Sequence, residues 1–377
     1  MRLLVYSDFA YRRDGEDVWA EEAFVLFCTR LAEEVDGLTL AGRLDPEPGR
    51  WHYRLPASIE FAALPHYGEL SRPLAMLRGA GGALRAFWRA LRGVDAVWLL
   101  GPHPLSIAFA LLAALRGKRV ALGVRQDFPR YVANRHPGSR SMRVAGGLLE
   151  AGYRVLSRVF RTVVVGPDLA ARYRGARRLL EISVSLIGER DLVALEQATS
   201  RSPAGDGLTA LSVGRLDAEK NPLLLAEVLA RLDARWRLVV CGDGPLADEL
   251  AERLEAGGLT GRAELRGYVP LGDDLLALYR ESDAFLHVSW TEGVPQVLFE
   301  AFAAALPVVA TDVGGVREAV GDAALLIPPG DADVAAGALE RLAADPELRA
   351  SLVEGGLEPV REHTSEEESR RLAEFLG

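Results

Sequence analysis

The stretch Thr291-Glu292-Gly293-Val294-Pro295-Gln296-Val297-Leu298-Phe299-Glu300 follows an apolar run, Ala284 to Ser289, that reads as a buried strand. Its own second half reads as the start of a helix reaching about Ala305. Pro295 suits the first helical position, where its missing N–H costs nothing. The turn is short and holds Gly293, so backbone can approach a ligand closely. A strand, a glycine turn and a helix N-terminus together make an anion site. Two carboxylates accompany it, Glu292 in the turn and Glu300 on the helix. Beside an anion site they would repel phosphate, so they are expected to accept hydrogen bonds from hydroxyls. Phosphate and hydroxyls in one crevice suggest a sugar nucleotide. The plainer alternative is a solvated turn residue and an exposed helix residue.

The neighbouring segments repeat the pattern. Leu211 to Leu216 reads as a strand ending in Gly214 and Arg215, followed by Lys220 and a helix from Leu223 to Leu232. Trp236 to Cys241 reads as a strand ending in Gly242-Asp243-Gly244-Pro245, and Pro307 to Thr311 as one ending in Asp312-Val313-Gly314-Gly315. Alternating strand and helix at this spacing imply a parallel, doubly wound sheet, whose strand ends share one crevice. There Arg215 and Lys220 offer two cations for a diphosphate, and Gly242 and Gly244 allow close backbone approach. Residues 242–247 also fit the dinucleotide pattern G-x-G-x-x-A. That reading is set aside. The strand at Ala263 to Arg266 does not end in a ribose-holding acid, and Arg215, Lys220 and both glutamates would have no role.

The first half alternates too, with strands expected at 3–8, 96–100, 119–124, 162–165 and 180–186. A polar loop from Phe9 to Asp17, containing Asp14 and Gly15, is expected at the end of the first strand, before a helix from Val18 to Val35. His103 and the pair Arg125 and Gln126 follow later strands. All five are candidates for contact with an acceptor or sugar, and Arg125 and Asp127 are also placed to pair with each other. Arginine-decorated amphipathic patterns at 73–92 and 140–161 read as helices covering the sheet, with peripheral attachment to an anionic membrane as the functional alternative.

At 377 residues two domains are the natural expectation. The boundaries expected are 1–187, a linker at 188–206, 207–360, and a C-terminal helix at 361–377 able to pack back on the first domain. Residues 1–200 carry 28 Lys+Arg against 21 Asp+Glu, and residues 201–377 carry 16 against 32. A basic first half beside an acidic second half fits two domains with different surfaces. Hydrophobic content of 49% and charged content of 26% are those of a globular protein. The N-terminus does not resemble a signal peptide, no apolar run is long enough to span a bilayer, and Cys28 and Cys241 read as buried free thiols. A cytoplasmic location is therefore expected. The six histidines lack ligand-like spacing, so no metal site is expected.

Together, Gly214-Arg215-Leu216 with Glu219-Lys220-Asn221, Gly242-Asp243-Gly244-Pro245, Gly267-Tyr268-Val269 and Glu292 to Glu300 resemble the family-4 retaining glycosyltransferases of the GT-B fold. The resemblance is close over about 207–330 and weaker over 1–187. It implies two Rossmann-like α/β domains facing a cleft, and a nucleotide-diphosphate sugar as donor with no cofactor or metal required. It implies a glycan, lipid-linked or small-molecule acceptor and no nucleic-acid partner. Arg215 and Lys220 would bind the diphosphate, Glu292 with the Gly293 and Val294 backbone would contact the sugar, Glu300 the ribose, and Tyr268 and Val269 would flank the base. Retention would follow from same-face attack with the leaving phosphate as base. The first domain departs from the family: Arg12 to Asp17 replaces a Gly-Gly pair, and Trp98 and Leu100 stand where a histidine pair is common. Those departures leave two alternatives, a non-catalytic nucleotide-sugar binding protein and another GT-B enzyme such as a sugar-nucleotide epimerase.

Overall fold

The computed structural model describes residues 1–46, 51–66, 73–135, 138–183, 185–194, 207–293 and 295–377. The chain forms two compact units, Met1–Leu186 with Ser365–Gly377, and Ile187–Thr364. Both are α/β with sheets built mainly from parallel strands, the fold class expected from the alternation of strand and helix.

In the second unit the strands are β10 (Leu208–Val213), β11 (Trp236–Cys241), β12 (Ala263–Gly267), β13 (Ala284–His287), β14 (Val308–Thr311) and β15 (Ala324–Ile327). Their spatial order is β12-β11-β10-β13-β14-β15, with every pairing parallel. The chain moves outward from β10 in one direction and returns to start again at β13. That reversal is a topological switch point, where ligands bind outside the carboxyl ends of the strands. Apolar clusters lie on both faces. One gathers Trp236, Leu238, Leu286 and Leu339; the other gathers Phe285, Tyr279, Phe302 and Leu298. Apart from β12, an exposed edge strand carrying Glu264 and Arg266, the strands are short, largely buried and rich in Val, Leu and Ala, as burial on both faces demands.

The first unit's sheet runs β4-β2-β1-β6-β7-β8-β9, with β3 beside β1 and β5 beside β3. Here β1 is Arg2–Asp14, β2 Asp17–Ala20, β3 Gly37–Leu44, β4 Tyr53–Arg54 and β5 Ile59–Leu64. β6 is Ala96–Gly101, β7 Arg119–Val124, β8 Arg161–Val165 and β9 Arg178–Ile182. The switch point lies between β1 and β6. Two sequence expectations are corrected here. The expected loop at Phe9–Asp17 is a hairpin, in which β1 continues to Asp14 and pairs antiparallel with β2. The helix expected from Val18 is confined to α1, Phe24–Glu33. Tyr11, Val18 and Ala20 all turn into the core, and this period-two burial favours strand over helix.

The helix Ser365–Leu376 places Leu372 and Leu376 in the core of the first unit. Arg161 and Arg371 on that side donate to the carbonyls of Leu376 and Glu181.

Candidate active site at the second switch point

Three loops converge beyond β10, β13 and β14. The first runs from Gly214 to Asn221. Asp217 caps its short turn by accepting from the Lys220 N–H at 3.2 Å, and Asn221 closes it in the left-handed region at φ 52°. The Trp290 N–H donates to the Glu219 carbonyl at 2.8 Å, tying this loop to the one after β13. Thr311, fully buried at the end of β14, donates its hydroxyl to the Ser289 carbonyl at 2.8 Å. Gly314 has φ +54°, and a Cβ there would collide with the Glu292 carbonyl. Gly314→Ala is therefore expected to cost about 1–3 kcal/mol of stability and to displace the Glu292 turn. Urea unfolding of the variant measures the cost.

At the centre lies Glu292, only 7% exposed. Its Oε1 accepts from Lys220 Nζ at 2.5 Å and from Ser289 Oγ at 2.7 Å, with His287 Nε2 at 2.9 Å. Burial disfavours the carboxylate, but the His287 hydrogen bond and the Lys220 charge outweigh it and hold the pKa down at about 2. An ionised carboxylate only accepts, so the Nε2 of His287 carries a proton. His287 and Ser289 were read from sequence only as part of a buried strand. The available signal was two polar side chains ending an otherwise apolar run.

The two expected cations behave differently. Lys220 is 26% exposed and turned inward onto Glu292. An ammonium has three N–H donors, and Glu292 takes one. Arg215 is 69% exposed and pairs with Asp217 at 2.8 Å. Both line a cavity of about 100 Å³, together with Gly214, His287, Ser289 and Gln296.

The glycines divide in the same way. A Cβ on Gly214 or Gly293 would meet open space. One on Gly242 would strike the Gly214 carbonyl, and one on Gly244 the Leu216 carbonyl. Loop packing alone therefore accounts for glycine at Gly242 and Gly244, whether or not a ligand also approaches their backbone. Their missing side chains are needed where one loop packs on the next.

Pro295 is the helix N-cap in extended conformation, and the helix spans Gln296–Ala303 rather than starting at Pro295. Glu300 on this helix is buried and accepts from the Tyr279 hydroxyl at 2.8 Å. Burial raises its pKa to about 7 against the lowering effect of that bond. Tyr268 is exposed just beyond β12, with Val269 half-buried beside it. Val294 lies outside the described residues. Among the described residues no group of three or more His, Cys, Asp or Glu could hold a metal ion.

The first switch point gathers other candidates. His103 is buried after β6. Its Nδ1 accepts from the Leu105 N–H at 3.2 Å, capping the helix Pro104–Leu115. Its Nε2 lies 3.5 Å from Asp8, and burial lowers its pKa against the pull of Asp8. Arg43 binds the Asp8 carbonyl at 2.7 Å. The guanidinium of Arg125 lies 4.6 Å from the Phe9 ring centre. It does not pair with Asp127, which pairs with Arg172 at 2.6 Å instead. Gln126 is exposed. Asp14 and Gly15 form the hairpin tip, and Asp14 lies six positions along the strand from Asp8, about 20 Å of extended chain. The structure therefore brings Asp8, which sequence reading left inside a strand, to His103, while Asp14 and Gly15 stand apart.

Residues 196–358 match the family of glycosyl transferases, group 1. The matched segment holds every loop of the second switch point. Among curated relatives, the chain is 31% identical over 198 residues to the lipopolysaccharide core biosynthesis glycosyltransferase LpsE of Rhizobium meliloti, covering 52% of this chain and 57% of that one. It is 32% identical over 149 residues to the alpha-D-kanosaminyltransferase of Streptomyces kanamyceticus, covering 38% of each. The chain thus spans less than two thirds of the length of these relatives. The fold extends further. Sucrose-phosphate synthase from Thermosynechococcus elongatus superposes with a TM-score of 0.70 at 19% identity, over 99% of this chain and 98% of that one. WaaG, a glycosyltransferase involved in lipopolysaccharide biosynthesis, does so with 0.68 at 15%, over 99% of each. Anabaena HepE in complex with UDP gives 0.69 at 15%, over 100% and 99%.

Proposed function

We propose that the chain is a metal-independent, retaining glycosyltransferase of family 4 that moves a sugar from a nucleotide-diphosphate donor to a glycan, lipid-linked or small-molecule acceptor. The observation that carries the proposal is the meeting of Lys220, His287, Ser289 and Glu292 at the switch point of the group 1 segment. The relatives named above are glycosyltransferases, and a fold neighbour holds UDP. The second unit is the donor domain in this reading and the first the acceptor domain.

Breaking a glycosyl–phosphate bond builds negative charge on the leaving diphosphate. Lys220 offers its two remaining N–H donors there, and Arg215 swings from its exposed pairing with Asp217 to join it. Preorganised cations in a partly buried site stabilise that charge without reorganisation at the moment of reaction. Ionised Glu292 accepts hydrogen bonds from donor-sugar hydroxyls, beside the open backbone at Gly293. Glu300 accepts from the ribose, with Tyr268 and Val269 against the base. Glu292 and Glu300 are binding carboxylates, not a hydrolytic pair. On the first unit, Asp8, His103 and Arg125 are positioned for the acceptor, and peripheral contact with an anionic membrane belongs to the same reading.

A thermal-shift screen against nucleotide sugars tests the donor assignment. A ligand at about a hundred times its Kd adds about 2.7 kcal/mol to the folded state, enough for a rise of several degrees. No shift with any nucleotide sugar would sink the donor assignment. Incubation with donor alone separates an epimerase, which converts the sugar without an acceptor.

A further inference from the structure

We infer that the exposed face formed by the helices Pro104–Leu115 and Arg140–Ser157 of the first unit is an interfacial docking surface for an anionic lipid bilayer. The inference deepens the membrane contact included above by naming the surface, and it does not depend on sugar transfer.

Seven of the eleven large apolar side chains that stand exposed among the described residues fall between positions 111 and 159. On the first helix Leu111 and Leu115 point outward, Leu115 at 79% exposure. On the second, Val144, Leu148 and Val155 do so, Leu148 at 69%, with Val159 just beyond its end. The spacing 144, 148, 155, with exposed Ala151 between, is a stripe along one helix face. The two helices are neighbours, since a Cβ on Gly152 would sit 3.4 Å from Ile107. Both bury their other sides against the same core, through Phe109 and Ala113 on one and Tyr153 on the other. Their outward stripes thus lie side by side. A solvated helix keeps its outer face polar, and contiguous exposed apolar surface marks a binding site.

Charge selects the partner. Arg140, Arg154 and Arg158 are exposed along one flank of the apolar stripe. The only carboxylate on that helix, Glu150, is buried. From 73 to 160 the sequence carries fourteen Lys+Arg and three Asp+Glu, in a chain whose net charge is −9. An apolar stripe flanked by arginine is the pattern that settles at headgroup depth and is held by anionic lipid. Among the described residues no helix is long and apolar enough to cross a membrane, so such a contact is peripheral.

Vesicle flotation of the full chain tests this, comparing neutral phosphatidylcholine with vesicles containing phosphatidylglycerol. Binding is expected only with the anionic lipid, and should weaken steeply with added salt. The double variant Arg154→Glu, Arg158→Glu should lower partitioning by roughly 25-fold or more, from about fivefold per arginine. Leu148→Ser with Val155→Ser should lower it by roughly tenfold or more through lost apolar burial. All four side chains are exposed, so unchanged circular dichroism and an unchanged nucleotide-sugar thermal shift are expected in both variants. Equal binding to neutral vesicles, no binding at low salt, or full binding by both variants would overturn the inference. So would sedimentation showing a dimer that Leu148→Ser dissolves, without vesicle binding. Failure of the nucleotide-sugar screen with vesicle binding intact would count against the transferase reading alone.

Discussion

Lys220→Ala is expected to lower kcat for sugar transfer by about 10²–10³-fold, with a smaller effect on the KM for donor. The amine is held inside the site by geometry, at 2.5 Å from Glu292. Arg215 lies mostly in solvent and pairs with Asp217, so its charge is screened until it moves. The variant also strips Glu292 of its counter-ion. That carboxylate is held down at about 2 from its ordinary 4.5, with burial opposing and the His287 bond and Lys220 favouring ionisation. A depressed carboxyl pKa contributes stability that is fully present above 4.5 and is lost as pH falls through about 2. The shift corresponds to about 3 kcal/mol, shared between Lys220 and the hydrogen bonds from His287 and Ser289. Lys220→Ala should therefore unfold at a higher pH on the acid side than the parent. Pairing it with Glu292→Gln removes the orphaned charge and should recover stability without recovering turnover. If Lys220→Ala keeps kcat within about threefold of the parent, the amine does not stabilise the leaving group.

How much of this was legible in the chain depends on what each residue faces. The parallel alternation of the second unit follows from short apolar runs separated by helices, because a run of that length with glycine at its end has few other ways to be buried, whereas the order of its strands is read only from the structure. Glu292 and Lys220 were legible as chemistry, but not that they touch. They are 72 positions apart, and the contact depends on the backbone bond from Trp290 to Glu219. The glycines show a similar limit. Gly214 and Gly242 look alike in sequence, yet one faces open space and the other faces a carbonyl. A missing side chain signals close approach without saying what approaches. The first unit was harder to read. Residues 9–17 are polar enough to pass for a loop, and only the inward turn of Tyr11, Val18 and Ala20 makes them a hairpin. His287 and Ser289 were hidden because a buried strand accounts for them until Glu292 is seen beside them.

Glu300→Gln should separate stability from donor binding, and in opposite directions. The two glutamates of one turn and helix are driven apart: Glu292 is held down by its partners, while burial raises Glu300 to about 7. Tyr279 donates its one proton at 2.8 Å, and its own pKa is raised by burial and by Glu300, so it stays a donor. An acid whose folded pKa lies above its unfolded value binds the extra proton in the native state. Its stabilising contribution is therefore full below about 4.5, declines as pH rises, and is gone above about 7. Across that window the parent loses about 3 kcal/mol relative to a neutral isostere. The glutamine keeps an acceptor for Tyr279 but buries an amide donor, a fixed cost of about 1–3 kcal/mol. The diagnostic is thus the trend. The stability of the variant minus that of the parent, from urea unfolding followed by tryptophan fluorescence, should rise by about 3 kcal/mol between pH 4 and pH 8. Under the ribose assignment the same variant should bind donor about 10–100-fold more weakly at pH 8, through loss of charged hydrogen bonds to hydroxyls. The parent's affinity should fall as pH drops below 7, and the variant's should not. A flat stability difference would show that Glu300 is ionised in the fold at neutral pH. A parent whose donor affinity ignores pH between 6 and 8 would remove Glu300 from the ribose and leave it a core residue bonded to Tyr279. A residue that lowers the stability of its unit at working pH, yet holds the ligand, is the signature expected of a site placed where the sheet reverses.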